Sequence, residues 1–223
     1  MFKLENITLL YDADKLEKTY ALNQINLEIK EGRTYSILGP SGSGKSSLLY
    51  VISGIKEATG GKLYYKGQDM ALLEESERSE LRLKEFGFVF QRYFLIPYMD
   101  ILKNVLVPIN SNKKEDIDRA IGLLEAFGLA NYRHKKPNEL SGGQCQRVAI
   151  ARALINTPKV IFADEITASL DQKNAQNVIE TLYNLKNNAT ILFVTHDVAM
   201  TRQTDEIIYI RDGKLGRDLD ESS

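Results

Sequence analysis

Apolar side chains recur along this chain with two periods, which predict strands and helices respectively. A period of two residues runs through residues 2–10 and 20–29 and predicts a small antiparallel sheet. Short apolar runs predict further strands at residues 34–38, 61–65, 86–90, 160–163, 190–194 and 207–210. Helical spacing predicts helices at residues 46–53, 116–127, 144–154 and 172–185.

Buried strands alternate with helices over most of the chain, and this order predicts a parallel sheet with helices packed on it. The middle third is mainly helical. No internal repeat and no Pro/Gly/Ser-rich linker interrupts the sequence. We therefore expect an α/β protein with one domain over residues 1–223, into which a helical subdomain of approximately residues 92–155 is inserted.

Composition limits the possible partners. Lys and Arg number 29 and Asp and Glu number 30, so the net charge of −1 favours neither nucleic acid nor an anionic membrane. The single cysteine, Cys145, excludes an intramolecular disulfide and indicates a reducing, cytosolic setting. The N-terminus has no signal-peptide pattern, and no run reaches 18 apolar residues. Any membrane role is therefore expected to come through a partner.

A glycine-rich segment joins the strand at residues 34–38 to the helix at residues 46–53. It reads Gly39-Pro40-Ser41-Gly42-Ser43-Gly44-Lys45-Ser46-Ser47. This pattern is typical of a phosphate loop, whose backbone N–H groups and helix N-terminus face phosphate oxygens. Lys45 is then expected to hold the β- and γ-phosphates and Ser46 to bind Mg²⁺. A flexible surface turn, the alternative, would not require the flanking strand and helix.

A second glycine-containing segment precedes the helix at residues 144–154 and reads Leu140-Ser141-Gly142-Gly143-Gln144. Together with the following Gln146-Arg147-Val148-Ala149, it resembles the signature motif of ABC ATPases. The resemblance implies a P-loop NTPase (RecA-like) core and ATP hydrolysis. It also implies a head-to-tail dimer, in which the signature residues of one copy contact ATP bound to the other. An ordinary helix cap is the alternative interpretation, because Ser and Gly are common caps.

Other segments follow in the order of that family. Asp164 and Glu165 end an apolar strand. The resemblance implies that Asp164 helps to coordinate Mg²⁺, directly or through water, and that Glu165 polarises the attacking water. Gln91 resembles the Q-loop glutamine, which senses Mg²⁺ and the γ-phosphate, and His196 resembles the switch histidine. A solvated acidic pair is the alternative for the carboxylates. The other histidine, His134, matches no motif and receives no function.

Two more segments complete the resemblance. Tyr11 resembles the aromatic residue that stacks on adenine, with Tyr20 as the second candidate and core packing as the alternative. Ser169-Leu170-Asp171 resembles the D-loop at the dimer interface. Two positions depart from the family pattern. Ile166 stands where many relatives have proline, so the turn that holds Glu165 is expected to be looser. Cys145 stands where relatives often have glutamine and would make the site sensitive to thiol reagents, with simple tolerance of a small residue as the alternative.

The segments at residues 91–99 and 134–140 resemble the lipoprotein-release and macrolide-export branch of the family. This resemblance implies a peripheral location on the cytoplasmic side of the membrane, through an integral membrane subunit. It also implies export of a peptide, lipoprotein or antimicrobial compound. Residues 93–99 suit docking of that subunit, with burial inside the helical subdomain as the alternative. Force transmission to cell-wall enzymes and nucleotide binding without hydrolysis remain alternatives.

Overall fold

The computed structural model describes residues 1–11, 19–167, 170, 172–195, 201 and 204–216, apart from the side chains of residues 172 and 173. The chain divides into two compact units, Met1–Arg82 with Thr190–Ser223 and Leu83–Ala189.

The described residues form ten strands and six α-helices. In chain order the strands are β1 (Phe2–Tyr11), β2 (Thr19–Ile29), β3 (Thr34–Leu38), β4 (Gly60–Tyr65), β5 (Gln68–Asp69), β6 (Phe86–Val89), β7 (Val160–Asp164), β8 (Thr190–Val194), β9 (Glu206–Arg211) and β10 (Lys214–Leu215). The helices are α1 (Lys45–Ile52), α2 (Glu75–Glu85), α3 (Ile101–Leu106), α4 (Lys114–Ala126), α5 (Gly142–Leu154) and α6 (Gln172–Leu185). Short 3-10 turns lie at Met70–Leu72, Ala130–Tyr132 and Pro137–Glu139.

The first unit contains an antiparallel sheet in the order β2-β1-β4-β5. β1 pairs with β2 in a register that places Phe2 opposite Ile29 and Tyr11 opposite Thr19. Apolar side chains alternate inward along both strands, which is why the period of two was visible in the sequence. The inward residues Phe2, Leu4, Ile7, Leu9, Leu22, Ile25 and Ile29 are all buried.

The same unit contains a parallel group of strands centred on β3. β3 pairs in parallel with β8 on one side and with β9 on the other, and β10 extends the β9 edge antiparallel. Every residue of β3 and of β8 is buried. Helix α1 follows β3 and buries Leu48, Leu49, Val51 and Ile52. The loop between β3 and α1 therefore lies at the carboxyl end of a parallel strand, where α/β proteins bind ligands.

The second unit holds α3 to α6 and a parallel pair of strands, β6 and β7. Phe162 of β7 packs against Phe86 and Phe88 of β6 at ring-centroid distances of 5.3 Å. Helix α5 is buried along Val148–Ala151 and packs on β6, α3 and α4. The strand that carries the predicted carboxylates is thus enclosed on its whole length, since all five residues of β7 are buried.

The sequence predicted most of these elements, with ends shifted by one or two residues. Two helices were missed. Helix α2 buries none of its residues, so it carries no apolar stripe that a periodicity could reveal, and α3 has only six residues. The subdomain boundaries at residues 92 and 155 stay a prediction.

Candidate functional site

The phosphate-loop segment is fixed by its glycines. Gly39, Gly42 and Gly44 have φ values of 151°, 75° and 105°, which L-residues with side chains rarely adopt. A Cβ on Gly39 would lie 2.0 Å from the carbonyl oxygen of Ile210, and a Cβ on Gly44 would lie 2.2 Å from that of Ala21. Glycine is therefore required at both ends of the loop by the first unit's own packing.

Lys45 turns back over the loop from the first turn of α1. Its Nζ donates hydrogen bonds to the carbonyl oxygens of Gly39 at 3.0 Å and Pro40 at 2.7 Å, and the residue is 8% exposed. An ammonium group has three N–H donors. These two carbonyls accept two of them, so the ammonium is held at the loop with donor capacity for a phosphate oxygen.

The rest of the loop fits an anion as well. The outer part of the loop is exposed and comprises Pro40, Ser41 and Gly42, whereas Ser43 is buried. The Ser43 Oγ has no hydrogen-bond partner among the described residues. Buried hydroxyls in native proteins are nearly always paired, and an absent ion or water is a common reason for an exception. An oxyanion in the loop would explain why this hydroxyl is unpaired.

Ser46 and Ser47 lie in the first turn of α1, directly after Lys45. The Ser47 Oγ lies 3.2 Å from the hydroxyl oxygen of Tyr11, at the end of β1. Of the two tyrosines predicted to stack on a base, Tyr11 is 39% exposed and Tyr20 is 47% exposed. Of the two, only Tyr11 is hydrogen-bonded, among the described residues, to a side chain next to the phosphate loop, that of Ser47. This contact favours Tyr11 as the base-stacking residue.

The predicted carboxylates lie in the second unit, at the end of β7. Asp164 is the last residue of the strand and is 5% exposed. Glu165 follows with φ of 48°, a left-handed conformation that is uncommon for a residue with a side chain. The Nε2 of Gln91 donates a hydrogen bond of 2.9 Å to Oε2 of Glu165. Two residues predicted separately from the sequence, 74 positions apart, are thus in direct contact.

Ile166 is 3% exposed, so the residue in place of proline is anchored by burial of its side chain. Restriction by burial replaces the restriction of φ that proline would supply, and the expected loosening of the Glu165 turn has no support in the packing.

The signature segment forms the start of α5. The Ser141 Oγ accepts a hydrogen bond of 3.3 Å from Gln144 N, and Gln144 Oε1 accepts one of 2.9 Å from Ser141 N. This reciprocal pair is a capping box. Ser141 and Gly142 are exposed, and a Cβ on Gly142 would meet nothing within 4 Å. The segment is both a complete helix cap and an open surface.

Cys145 lies one turn further along α5. The residue is 2% exposed, and its Sγ donates to the carbonyl oxygen of Pro137 at 3.4 Å. Burial raises the pKa of the Cys145 thiol. Because the thiolate is the reactive form, neither the burial nor the raised pKa supports sensitivity to thiol reagents.

Three predicted residues, Ser169, Asp171 and His196, lie outside the described residues. Within the described part of the chain, no group of three or more His, Cys, Asp or Glu side chains could hold a metal ion. Nor does any helix in the described ranges have the length and apolarity to cross a membrane.

Sequence reasoning missed the side chains that hold the segment at residues 93–99. The guanidinium of Arg152 in α5 donates to the carbonyl oxygens of Phe94 at 2.8 Å and Tyr93 at 2.9 Å. Asn104 in α3 is fully buried, accepts from Ile96 N at 2.7 Å and donates to three carbonyl oxygens of residues 96–100. A buried asparagine inside a helix was the available signal, since such a group needs hydrogen-bond partners.

Comparison with protein families matches residues 22–168 to the family described as ABC transporter. The chain is 41% identical, over 96% of its length and 96% of the relative, to the lipoprotein-releasing system ATP-binding protein LolD of Wigglesworthia glossinidia brevipalpis. It is 39% identical to the macrolide export ATP-binding/permease protein MacB of Pasteurella multocida, and the match covers 96% of this chain and 34% of that longer protein.

Among solved structures, the chain resembles a dimeric post-hydrolysis state of the ATP-binding cassette MJ0796, bound to ADP and Pi, from Methanocaldococcus jannaschii. The TM-score is 0.91 at 40% identity, with 97% of each chain covered. This likeness confirms the predicted P-loop NTPase fold, with its parallel core and its antiparallel sheet.

Proposed function

Because the chain belongs to the ABC transporter family of ATPases, we propose that two copies of it close around two ATP molecules to drive a membrane partner. Each ATP lies between the phosphate loop of one copy and the signature segment of the other. The observation that carries the proposal is the exposed N-terminus of α5, where Ser141 caps the helix and a Cβ on Gly142 would meet no atom within 4 Å. An exposed surface at this position supports a contact with the second copy.

The phosphate loop binds the triphosphate. Backbone N–H groups between Gly39 and Ser46 face the phosphate oxygens, and the N-terminal end of α1 adds its positive dipole. Lys45, already held over the loop by two carbonyls, pairs with the β- and γ-phosphates. Tyr11 stacks on the adenine, and Ser47 fixes its hydroxyl.

Mg²⁺ is proposed to accompany the bound ATP. Ser46, Gln91 and Asp164 offer a hydroxyl, an amide oxygen and a carboxylate, which are the hard oxygen ligands that Mg²⁺ prefers. Mg²⁺ commonly completes its coordination with substrate phosphates, so the described side chains need not hold it alone. When bound, it neutralises charge on the β- and γ-phosphate oxygens.

Glu165 is the proposed general base. Its carboxylate accepts a proton from the attacking water, while Gln91, which donates to Oε2 at 2.9 Å, holds the carboxylate in place. His196 is proposed to contact the γ-phosphate. The signature residues Ser141, Gly142, Gly143 and Gln144 of the second copy close the site with a hydroxyl and backbone N–H groups.

The segment at residues 93–99 is proposed to dock the membrane subunit. Tyr93, Phe94 and Tyr98 are 39%, 62% and 73% exposed, which favours docking over burial in the helical subdomain. Exposed aromatic side chains clustered in one segment are typical of interaction sites. Arg152 fixes the segment to α5, so movement of α5 would be transmitted to the docked subunit.

The cargo is proposed from the names of two relatives that this chain resembles. One is named for lipoprotein release and another for macrolide export. We infer that this subunit drives export of a peptide, lipoprotein or antimicrobial compound and works at the cytoplasmic side of the membrane through its partner.

A complementation experiment tests the shared site. Ser141→Arg and Lys45→Met are each combined with Glu165→Gln, which is expected to slow hydrolysis by about 10²-fold or more and to preserve bound ATP. Each variant alone should trap no ATP. In a mixed dimer one site combines the intact phosphate loop of the Ser141→Arg chain with the intact signature segment of the Lys45→Met chain. The other site contains both changes. One trapped ATP per mixed dimer, measured after a sizing column, is the expected result, and none would contradict a site shared between two copies.

A further inference from the structure

Lys56 lies over the ring of Tyr11, although no motif of the sequence predicted a role for it. Its Nζ is 3.5 Å from the ring centroid. The hydroxyl of the same tyrosine lies 3.2 Å from the Ser47 Oγ. The ring is therefore held at two points, by a cation on one face and by a hydrogen bond at its tip.

The lysine reaches the ring from a fixed piece of backbone. The N–H groups of Ile55 and Lys56 both donate at 3.0 Å to the carbonyl oxygen of Tyr50, in the last turn of α1. Lys56 itself is half-buried. Because its backbone is tied to the helix that begins with Lys45, the ammonium group is positioned relative to the phosphate loop.

The charge of Lys56 also reaches the tyrosine hydroxyl. Burial opposes ionisation of Tyr11, but the positive charge of Lys56 and the hydrogen bond with Ser47 outweigh it and lower the pKa of the phenol. Tyr20 makes a useful comparison, since no lysine lies over its ring among the described residues. The two exposed tyrosines near the loop thus differ in how firmly they are held.

We propose that Lys56 is a positioning residue for the nucleotide base: it covers one face of the Tyr11 ring, and the adenine stacks on the other. The proposal rests on the ATP-binding function proposed above and adds a residue to it. A ring already fixed in orientation loses less conformational freedom when a base stacks on it. Lys56 also restricts the base to one side of the ring.

The size of the effect follows from the contact. Cation–π contacts at partly exposed sites are weak, so Lys56→Met is expected to weaken ATP binding by about two- to fivefold. The change should raise the KM for ATP by a similar factor and leave kcat within about twofold, since Lys56 touches no reacting atom. Lys56→Arg keeps a cation over the ring and should restore most of the affinity.

ATP is titrated by isothermal calorimetry into the wild-type chain and into its Lys56→Met and Lys56→Arg variants, so that the Tyr11 ring under test is kept. A matched control is Lys66→Met, which removes another lysine–tyrosine contact of the same unit, the 5.2 Å approach of Lys66 Nζ to the Tyr65 ring. This control should leave the ATP titration unchanged.

Inorganic tripolyphosphate separates the base from the phosphates. If Lys56 acts through the base, Lys56→Met weakens ATP binding but leaves tripolyphosphate competition unchanged. Equal loss for both ligands would overturn the proposal, because Lys56 would then act on the phosphates. Unchanged or tighter ATP binding in Lys56→Met would overturn it too. Lack of any ATP binding or hydrolysis by the wild-type chain would instead refute the proposed function itself.

Discussion

Helices α1 and α5 each have a small residue at the N-cap, Gly44 and Ser141, and these two residues serve different purposes. Helix α1 starts after Gly44, which has φ of 105° and supplies no side-chain cap. Helix α5 starts after Ser141, which lies in an extended conformation and is capped through Gln144. At the N-terminus of α1 no side chain caps the free backbone N–H groups. At the N-terminus of α5 two backbone N–H groups, those of Ser141 and Gln144, are hydrogen-bonded within the chain.

The glycines of the two starts differ in the same way. Gly39 and Gly44 have backbone carbonyls where a Cβ would lie, so the first unit could not fold around larger residues there. Gly142 has helical geometry and open space. A glycine in a helix is less favourable than alanine, so nothing inside the described chain explains its presence. The difference supports a requirement set by a second copy.

The largest expected effect on ATP hydrolysis comes from a change at the N-terminus of α1. Lys45→Met removes the ammonium group but keeps an unbranched side chain one atom shorter, so we expect kcat/KM for ATP to fall by about 10³-fold. Steady-state ATP hydrolysis measures this loss, and urea unfolding should show little change in stability. A large loss of stability would mean that the two contacts of Lys45 with backbone carbonyls stabilise the fold. The N-terminus of α1 would then no longer differ from that of α5 by serving ligand binding.

Gly44→Ala should have the next largest effect, on the fold. The new Cβ would lie 2.2 Å from the Ala21 carbonyl oxygen, at a φ of 105°, and we expect a destabilisation of about 3 kcal/mol in urea unfolding. Gly42→Ala is the matched control. Its φ is also positive, at 75°, but no atom lies within 4 Å of the new Cβ, so only the smaller backbone cost should appear. Equal losses in the two variants would show that the close carbonyl has no consequence.

The sequence predicted the surroundings of the α1 N-terminus more completely than those of the α5 N-terminus. The loop between β3 and α1 combines a strand, a glycine pattern and a helix, and each of these is set by local residues. The exposure of Gly142 depends on which residues surround α5, and the contact of Gln91 with Glu165 joins residues 74 positions apart. Such arrangements follow from the packing of distant segments, and no local pattern records them.

The role of Lys56 shows the same limit. It lies beyond the C-terminal end of α1 and reaches Tyr11, the last residue of β1, only because the fold brings these two chain segments together. Spacing along the chain could not reveal this, whereas the buried Asn104 could have been suspected from its place among apolar residues. The parts of the site that were predicted are local motifs, and the parts that were missed hold those motifs together.

Gly142→Ala is the smallest change and gives the sharpest test of the comparison. The first turn of α5 should gain about 0.5 kcal/mol of stability, because alanine is the better helix former. ATP turnover should nevertheless fall by about tenfold, because the added methyl group would crowd the ATP of the other copy. The control is Gly122→Ala in α4, which is also exposed, also helical and also has open space at its Cβ. That variant should gain stability and keep its turnover, so a Gly142→Ala protein with normal turnover would remove the reason for placing a second copy against α5.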